Sequence, residues 1–75
     1  MWVLKTKATV PGGRFEYVYL KYEVQPNGEQ SFIVTASFFE ASQFTSRLEA
    51  DAYAKVYLNS GWEATPLADE EAKIR

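Results

Sequence analysis

The chain has no cysteine and no histidine. Without cysteine there are no disulfides, no zinc–thiolate sites and no thiol nucleophile, and nothing points to an oxidising compartment. Without histidine the usual general base, the usual metal ligand and the usual switch near neutral pH are all missing, so catalysis would fall to carboxylates, hydroxyls and amines. We therefore expect no enzyme, no cofactor and no metal. Long hydrophobic runs are lacking too. Met1-Trp2-Val3-Leu4-Lys5 has no basic region leading into an apolar stretch, so neither a signal peptide nor a membrane span is expected, and the location expected is cytoplasmic. There is no excess of positive charge: 8 Lys and Arg stand against 10 Asp and Glu, a net charge of −2 with a pI near 5.0. That balance opposes whole-molecule attraction to nucleic acid or to an anionic membrane.

What is present is apolar and aromatic. Of 75 residues, 47% are hydrophobic and 16% aromatic, enough for one packed core over residues 1–75. A core of this size supplies roughly 3–5 kcal/mol of net stability, so a partner or a second copy is a natural supplement. Residues 1–40 balance Lys5, Lys7, Arg14 and Lys21 against Glu16, Glu23, Glu29 and Glu40. The acidity sits in the C-terminal half, including Asp69-Glu70-Glu71.

Composition changes near residue 42, from alternating β-branched and aromatic residues to alanines and charges at helical spacing. Val10-Pro11-Gly12-Gly13-Arg14 and Gln25-Pro26-Asn27-Gly28-Glu29 punctuate the first part. Each reads as a type I turn closed by a glycine bulge in a three-residue hairpin loop. At the second turn this loop sets Tyr22 opposite Phe32, Leu20 opposite Val34 and Val18 opposite Ala36. A two-residue Asn27-Gly28 turn would instead mix polar and apolar residues on both faces. At the first turn the same reasoning sets Thr6 opposite Val18, Leu4 opposite Leu20 and Trp2 opposite Tyr22.

The expected fold is α+β: a three-stranded antiparallel meander over residues 2–10, 14–25 and 29–40, covered on one face by a helix over 46–60. A short fourth edge strand at 62–65 is optional, and an acidic tail occupies 66–75, weakly helical from Ala68 and, like a second copy, able to cover part of the outer sheet face. The covered face holds Trp2, Leu4, Ala8, Val18, Leu20, Tyr22, Phe32, Val34, Ala36 and Phe38, with Glu16 as a misfit. Ser46 followed by Glu49 is a capping box that starts the helix, and Gly61 stops it. Arg47, Asp51, Lys55 and Asn59 form a solvated stripe; Ala50, Ala52, Tyr53, Val56 and Tyr57 fall on the other side.

The outward face of the meander carries the candidate binding residues: Lys5, Lys7, Arg14, Phe15, Tyr17, Tyr19, Lys21, Ile33 and Phe39. Lys7 lies opposite Tyr17, Lys5 opposite Tyr19, and Phe15 opposite Phe39. Lysine stems covering tyrosine rings are ordinary surface packing, but lysines that neutralise phosphates beside rings that stack on bases are also how a sheet binds nucleic acid. Gly13-Arg14-Phe15-Glu16-Tyr17-Val18 has some likeness to the aromatic strand of RNA recognition motifs, a family that places a helix between its first two strands where this chain has none.

Phe44-Thr45-Ser46-Arg47-Leu48-Glu49-Ala50 resembles the helix opening of the AP2-like arm-binding domains of phage and transposon integrases. In that pattern phenylalanine leads to Ser or Thr, a basic residue, an acidic residue and alanine. The resemblance implies a three-stranded sheet followed by one helix, with the outer sheet face entering the DNA major groove. Lys5, Lys7, Arg14, Tyr17, Tyr19 and Lys21 would then be the contact positions. In size, acidity and exposed aromatics the chain also looks like the small accessory and anti-defence proteins of phages. A macromolecular partner is expected. A protein-binding module or inhibitor, docking through the aromatic outer sheet face or through the acidic helix and tail, is favoured over a nucleic-acid binder, because a domain that binds DNA at physiological salt usually carries a basic excess. A homodimer through Phe15, Tyr17, Ile33 and Phe39 is compatible with either reading.

Overall fold

A computed structural model describes residues 1–73. The architecture is α+β, with elements in the order β1 (Trp2–Val10), β2 (Arg14–Val24), β3 (Gln30–Thr35), α1 (Arg47–Tyr57), β4 (Glu63–Pro66) and α2 (Leu67–Ala72). The four strands form one antiparallel sheet in the order β3-β2-β1-β4. The short strand anticipated after Trp62 is present and pairs with β1, Leu4 facing Ala64.

Both hairpins take the three-residue register. Val10 faces Arg14 and Thr6 faces Val18 in the first; Tyr22 faces Phe32 and Leu20 faces Val34 in the second. The turns themselves differ. At the second, Gly28 alone has positive φ and its N–H donates to the Gln25 carbonyl at 2.9 Å, as a glycine bulge after a type I turn requires. At the first, Gly12 (φ 96°) and Gly13 (φ 76°) are both left-handed. Positive φ at the third position of the Val10–Gly13 turn marks it as type II, correcting the expected type I.

β1 and β2 pair only as far as Lys5 and Tyr19; the expected Leu4–Leu20 and Trp2–Tyr22 pairs do not form. Residues 42–44 enter between the strand ends and take their hydrogen bonds. Ser42 N–H donates to the Leu20 carbonyl (3.0 Å), the Ser42 hydroxyl accepts from Tyr22 N–H (3.0 Å), and Phe44 and Trp2 exchange two backbone bonds (2.7 and 2.8 Å). To reach that position the chain leaves β3 at Thr35 instead of residue 40 and turns through Ser37–Ala41. Val18 therefore has no Ala36 partner, and Phe38 is carried to the opposite face from the one expected.

The helix starts where the capping box places it, with the Ser46 hydroxyl accepting from Glu49 N–H. The reciprocal half differs, because the Glu49 carboxylate accepts from the Thr45 hydroxyl. It ends at Tyr57, four residues before Gly61, since Leu58 is already extended (φ −122°, ψ 169°). On one side of the sheet Leu4, Leu20, Phe44 and Ala50 form a buried cluster, with Trp2, Tyr22, Tyr53, Ala54, Leu58, Trp62 and Ala64 packed around it. Val56 (72% exposed) and Ala52 belong to the solvent side of α1, against expectation; Val34 is exposed, and Phe32 meets the Tyr53 and Tyr57 rings of α1 but stays partly open to solvent.

A second cluster occupies the other side: Val3, Tyr19, Phe38 and Ala41, with Leu67 against them. Successive residues of β1 alternate faces, so burial of Val3, Leu4 and Lys5 in a row means that this end of the sheet is covered twice. The weakly helical tail folds back as α2, anchored by Leu67 N–H to the Met1 carbonyl at 2.8 Å; residues 74 and 75 of that tail lie outside the described residues. No helix among the described residues is long and apolar enough to cross a membrane.

Candidate functional site

The outer face of β1 and β2 has the expected register, Lys5 facing Tyr19 and Lys7 facing Tyr17. α2 changes what that register presents. Leu67 and Glu70 are three residues apart and share one helix face, and this face lands on Lys5 and Tyr19, burying the Glu70 side chain. Glu70 Oε1 accepts from the Tyr19 hydroxyl (2.8 Å) and from the Lys5 ammonium (3.3 Å). Oε2 has no aligned hydrogen-bond donor, but the Lys73 ammonium lies 2.9 Å away as its ion-pair partner. Glu63, largely exposed, is a more distant partner of Lys5 at 3.8 Å.

The electrostatics follow from this geometry. Burial pushes the Glu70 carboxyl up, yet the contacts with Lys73, Tyr19 and Lys5 outweigh burial and hold it below the ordinary carboxylate value. Burial likewise raises the Tyr19 hydroxyl, and the hydrogen bond to Glu70 and its negative charge carry it to about 12. The Glu70 carboxylate beside it raises the Lys73 ammonium. Lys5 also lies over the Tyr17 ring, 4.3 Å from its centroid, with Lys73 at 6.0 Å. The cation on Tyr17 is thus its diagonal neighbour Lys5, not Lys7 directly opposite.

Two of the nine candidate residues are therefore corrected. Lys5 (6% exposed) and Tyr19 (7%) are internal, and their charge and hydroxyl are spent on Glu70. The other seven stay accessible to different degrees. Phe15 (67%), Phe39 (65%), Ile33 (47%) and Tyr17 (39%) are exposed, as are Lys7 and Arg14, while Lys21 is half-buried. Phe39 does not face Phe15 across a strand pair; it sits in the turn after β3, its ring 4.2 Å from that of Phe38. The acidic run is split as well: Asp69 is exposed, Glu71 half-buried, and Glu70 is turned inward.

Sequence reasoning missed Glu70 as the organiser of this face. The Leu67–Glu70 spacing was the available signal, weak because six residues of helix hold little periodicity. It also missed that Phe32, Val34 and Val24 would be exposed around the second hairpin. Among the described residues no group of three or more His, Cys, Asp or Glu is placed to hold a metal ion. The arrangement offers an apolar and aromatic contact surface edged by Lys7 and Arg14, beside a self-contained ionic cluster. Compared with known protein families, with curated proteins and with solved structures, the chain matches none of them.

Proposed function

We propose that this protein is a small non-enzymatic binding module or inhibitor, of the kind phages and mobile elements encode, that docks on another protein through the outer sheet face. The observation that carries this reading is the solvent exposure of Phe15, Phe39, Ile33 and Tyr17 on a domain whose α2 covers that face only at Val3, Lys5 and Tyr19. Large side chains of this type, aromatic ones above all, supply much of the energy in protein interfaces, and several of them exposed on one small domain mark an interaction surface. Tyr17→Ala and Phe15→Ala should each abolish binding to a partner recovered by affinity capture, while the amide NMR spectrum stays that of the folded protein. Capture unchanged in both variants would end the proposal.

A DNA-binding role is the second reading. It draws on Lys7 and Arg14, exposed beside Tyr17, and on the integrase-like helix opening at residues 44–50. The Glu70 cluster weighs against it, because Lys5 and Lys73 are already neutralised there. A DNA complex at low salt whose affinity falls steeply with added salt, and whose salt dependence flattens in a Lys7→Ala, Arg14→Ala double variant, would favour this second reading.

A further inference from the structure

β3 is the free edge of the sheet: the order β3-β2-β1-β4 leaves its outer side without a strand, and five of its six residues are exposed. The opposite edge is blunted, since β4 has only four residues, ends in Pro66 and runs directly into α2. β3 has no such protection. Its sequence Gln30-Ser31-Phe32-Ile33-Val34-Thr35 contains no charge, proline or glycine, and its register with β2 is uninterrupted by a bulge. The other strands all carry charge. Neutral, β-prone, proline-free segments are those that pair edge to edge.

The phase of the backbone identifies the groups on offer. Gln25 N–H donates to the Glu29 carbonyl across the second turn, so that pair is hydrogen-bonded. Hydrogen-bonded and non-hydrogen-bonded pairs alternate along an antiparallel ladder. Ser31, Ile33 and Thr35 therefore turn their N–H and C=O groups to β2, and Gln30, Phe32 and Val34 turn theirs outward.

We infer that this edge pairs antiparallel with β3 of a second copy of the chain, about a two-fold axis normal to the sheet that passes between the two Ile33 residues. Phe32 then lies opposite Val34 of the second copy, both pairs exchange their outward N–H and C=O groups, and the two sheets become one. Three features favour a second copy as the occupant. A neutral strand meets a neutral strand, so β3 itself brings no charged side chain to the seam although the chain is acidic overall, and the exposed Glu40 carboxylate beside it is held by the Thr35 hydroxyl at 3.0 Å. The aromatic row formed by Tyr53, Tyr57 and Phe32 (ring centroids 4.7–6.2 Å apart) ends in solvent at the edge, with Phe32 and Tyr57 41% and 51% exposed, and Val34 of the second copy continues it. Two-fold pairing uses both open edges and leaves only the blunted β4 edges, so assembly closes at two. The inference is independent of the outer-face reading above, because it uses the strand edge.

Sedimentation of the full chain over a concentration series, with amide hydrogen exchange at both ends of the series, tests it. The expected result is a species of twice the chain mass whose Phe32 and Val34 amides slow with concentration, while Ser31, Ile33 and Thr35 amides are slow throughout. Val34→Pro removes an outward N–H without touching the β2–β3 ladder. It should weaken the dimer by about 100-fold, the loss of one such bond in each copy. Val34→Lys, which keeps the backbone donor, should also give monomer through like-charge repulsion. A monomer at every concentration with fast Phe32 and Val34 amides would overturn the proposal and leave the edge to an extended segment of another protein. A dimer indifferent to both variants but lost in Tyr17→Ala would overturn it in favour of face-to-face pairing.

Discussion

In β1, Val3, Leu4 and Lys5 are buried in succession; in β3, Phe32, Ile33 and Val34 are each at least 41% exposed. The more buried of these triplets is the one that contains a lysine. Intrinsic hydrophobicity did not decide this, since Phe, Ile and Val are better core residues than Lys. Position did: β1 lies in the sheet interior, with α1 on one face and α2 with the Phe38–Ala41 turn on the other, whereas β3 is at an edge that α1 touches only through Tyr53 and Tyr57 at Phe32 and Gln30. Lys5 is tolerated there because Glu70 and the Tyr17 ring come with the covering layer. A buried charge of this kind needs a partner more than it adds stability.

The comparison can be broken most directly at its buried end. Phe44→Ala should cost about 3–5 kcal/mol and Leu4→Ala about 2–5 kcal/mol in urea unfolding, enough to unfold a domain of this size. Ile33→Thr should stay within about 0.5 kcal/mol in the monomer, as substitutions on an uncovered strand do. Equal losses at Leu4 and Ile33 would mean that β3 is covered after all.

Glu70→Gln comes next, with a loss of about 3 kcal/mol, because Lys5 keeps its buried charge and loses the carboxylate that compensates it. A Lys5→Met, Glu70→Leu double variant should recover part of that loss, since two apolar side chains of similar size remove both buried charges and leave only the Tyr19 hydroxyl without its acceptor. Failure of the double variant to recover would show that the cluster contributes more than charge compensation.

Smaller effects follow from pH. Glu70 is held below the ordinary carboxylate value in the folded chain, so its contribution is complete above that range and is lost as pH falls through the lowered value. Tyr19 is raised from 10.0 to about 12, so its contribution is complete below pH 10 and is lost as pH rises toward 12. Melting temperature should therefore fall at both ends, and Tyr19→Phe should flatten the alkaline fall and, because the Tyr19 hydroxyl also helps to hold Glu70 low, weaken the acid one. In an ultraviolet titration of the tyrosines, two should ionise late: Tyr19, and Tyr53, which burial and its neighbours Tyr22 and Tyr57 also raise. An alkaline limb unchanged in Tyr19→Phe would assign that limb elsewhere.

How far each part was legible depends on the range of the interaction that makes it. Register in both hairpins could be read because a turn of known length forces every later pair, and wrong registers place polar residues in the core. The helix start could be read because Ser46 and Glu49 are three residues apart. The outer face was legible as a list of residues, but not which of them would face solvent. Lys5 and Tyr19 lose their exposure to a residue 65 and 51 positions away. The helix end escaped because Leu58 leaves the helix to enter the core beside Trp62, a tertiary demand that overrode the glycine three residues later.

The sequence by itself determined the α+β class, the two hairpin registers, the capped start of α1 and a charge balance unsuited to whole-molecule attraction of nucleic acid. Each of these rests on backbone conformation, on contacts within a few residues, or on composition. Only the tertiary structure decided that residues 42–44 divide β1 from β2 at one end, that α2 turns Glu70 onto Lys5 and Tyr19, and that β3 is left largely exposed. Those outcomes depend on which surfaces meet when distant segments pack, and a six-residue helix with one leucine and one inward carboxylate carries too little local pattern to announce where it will land.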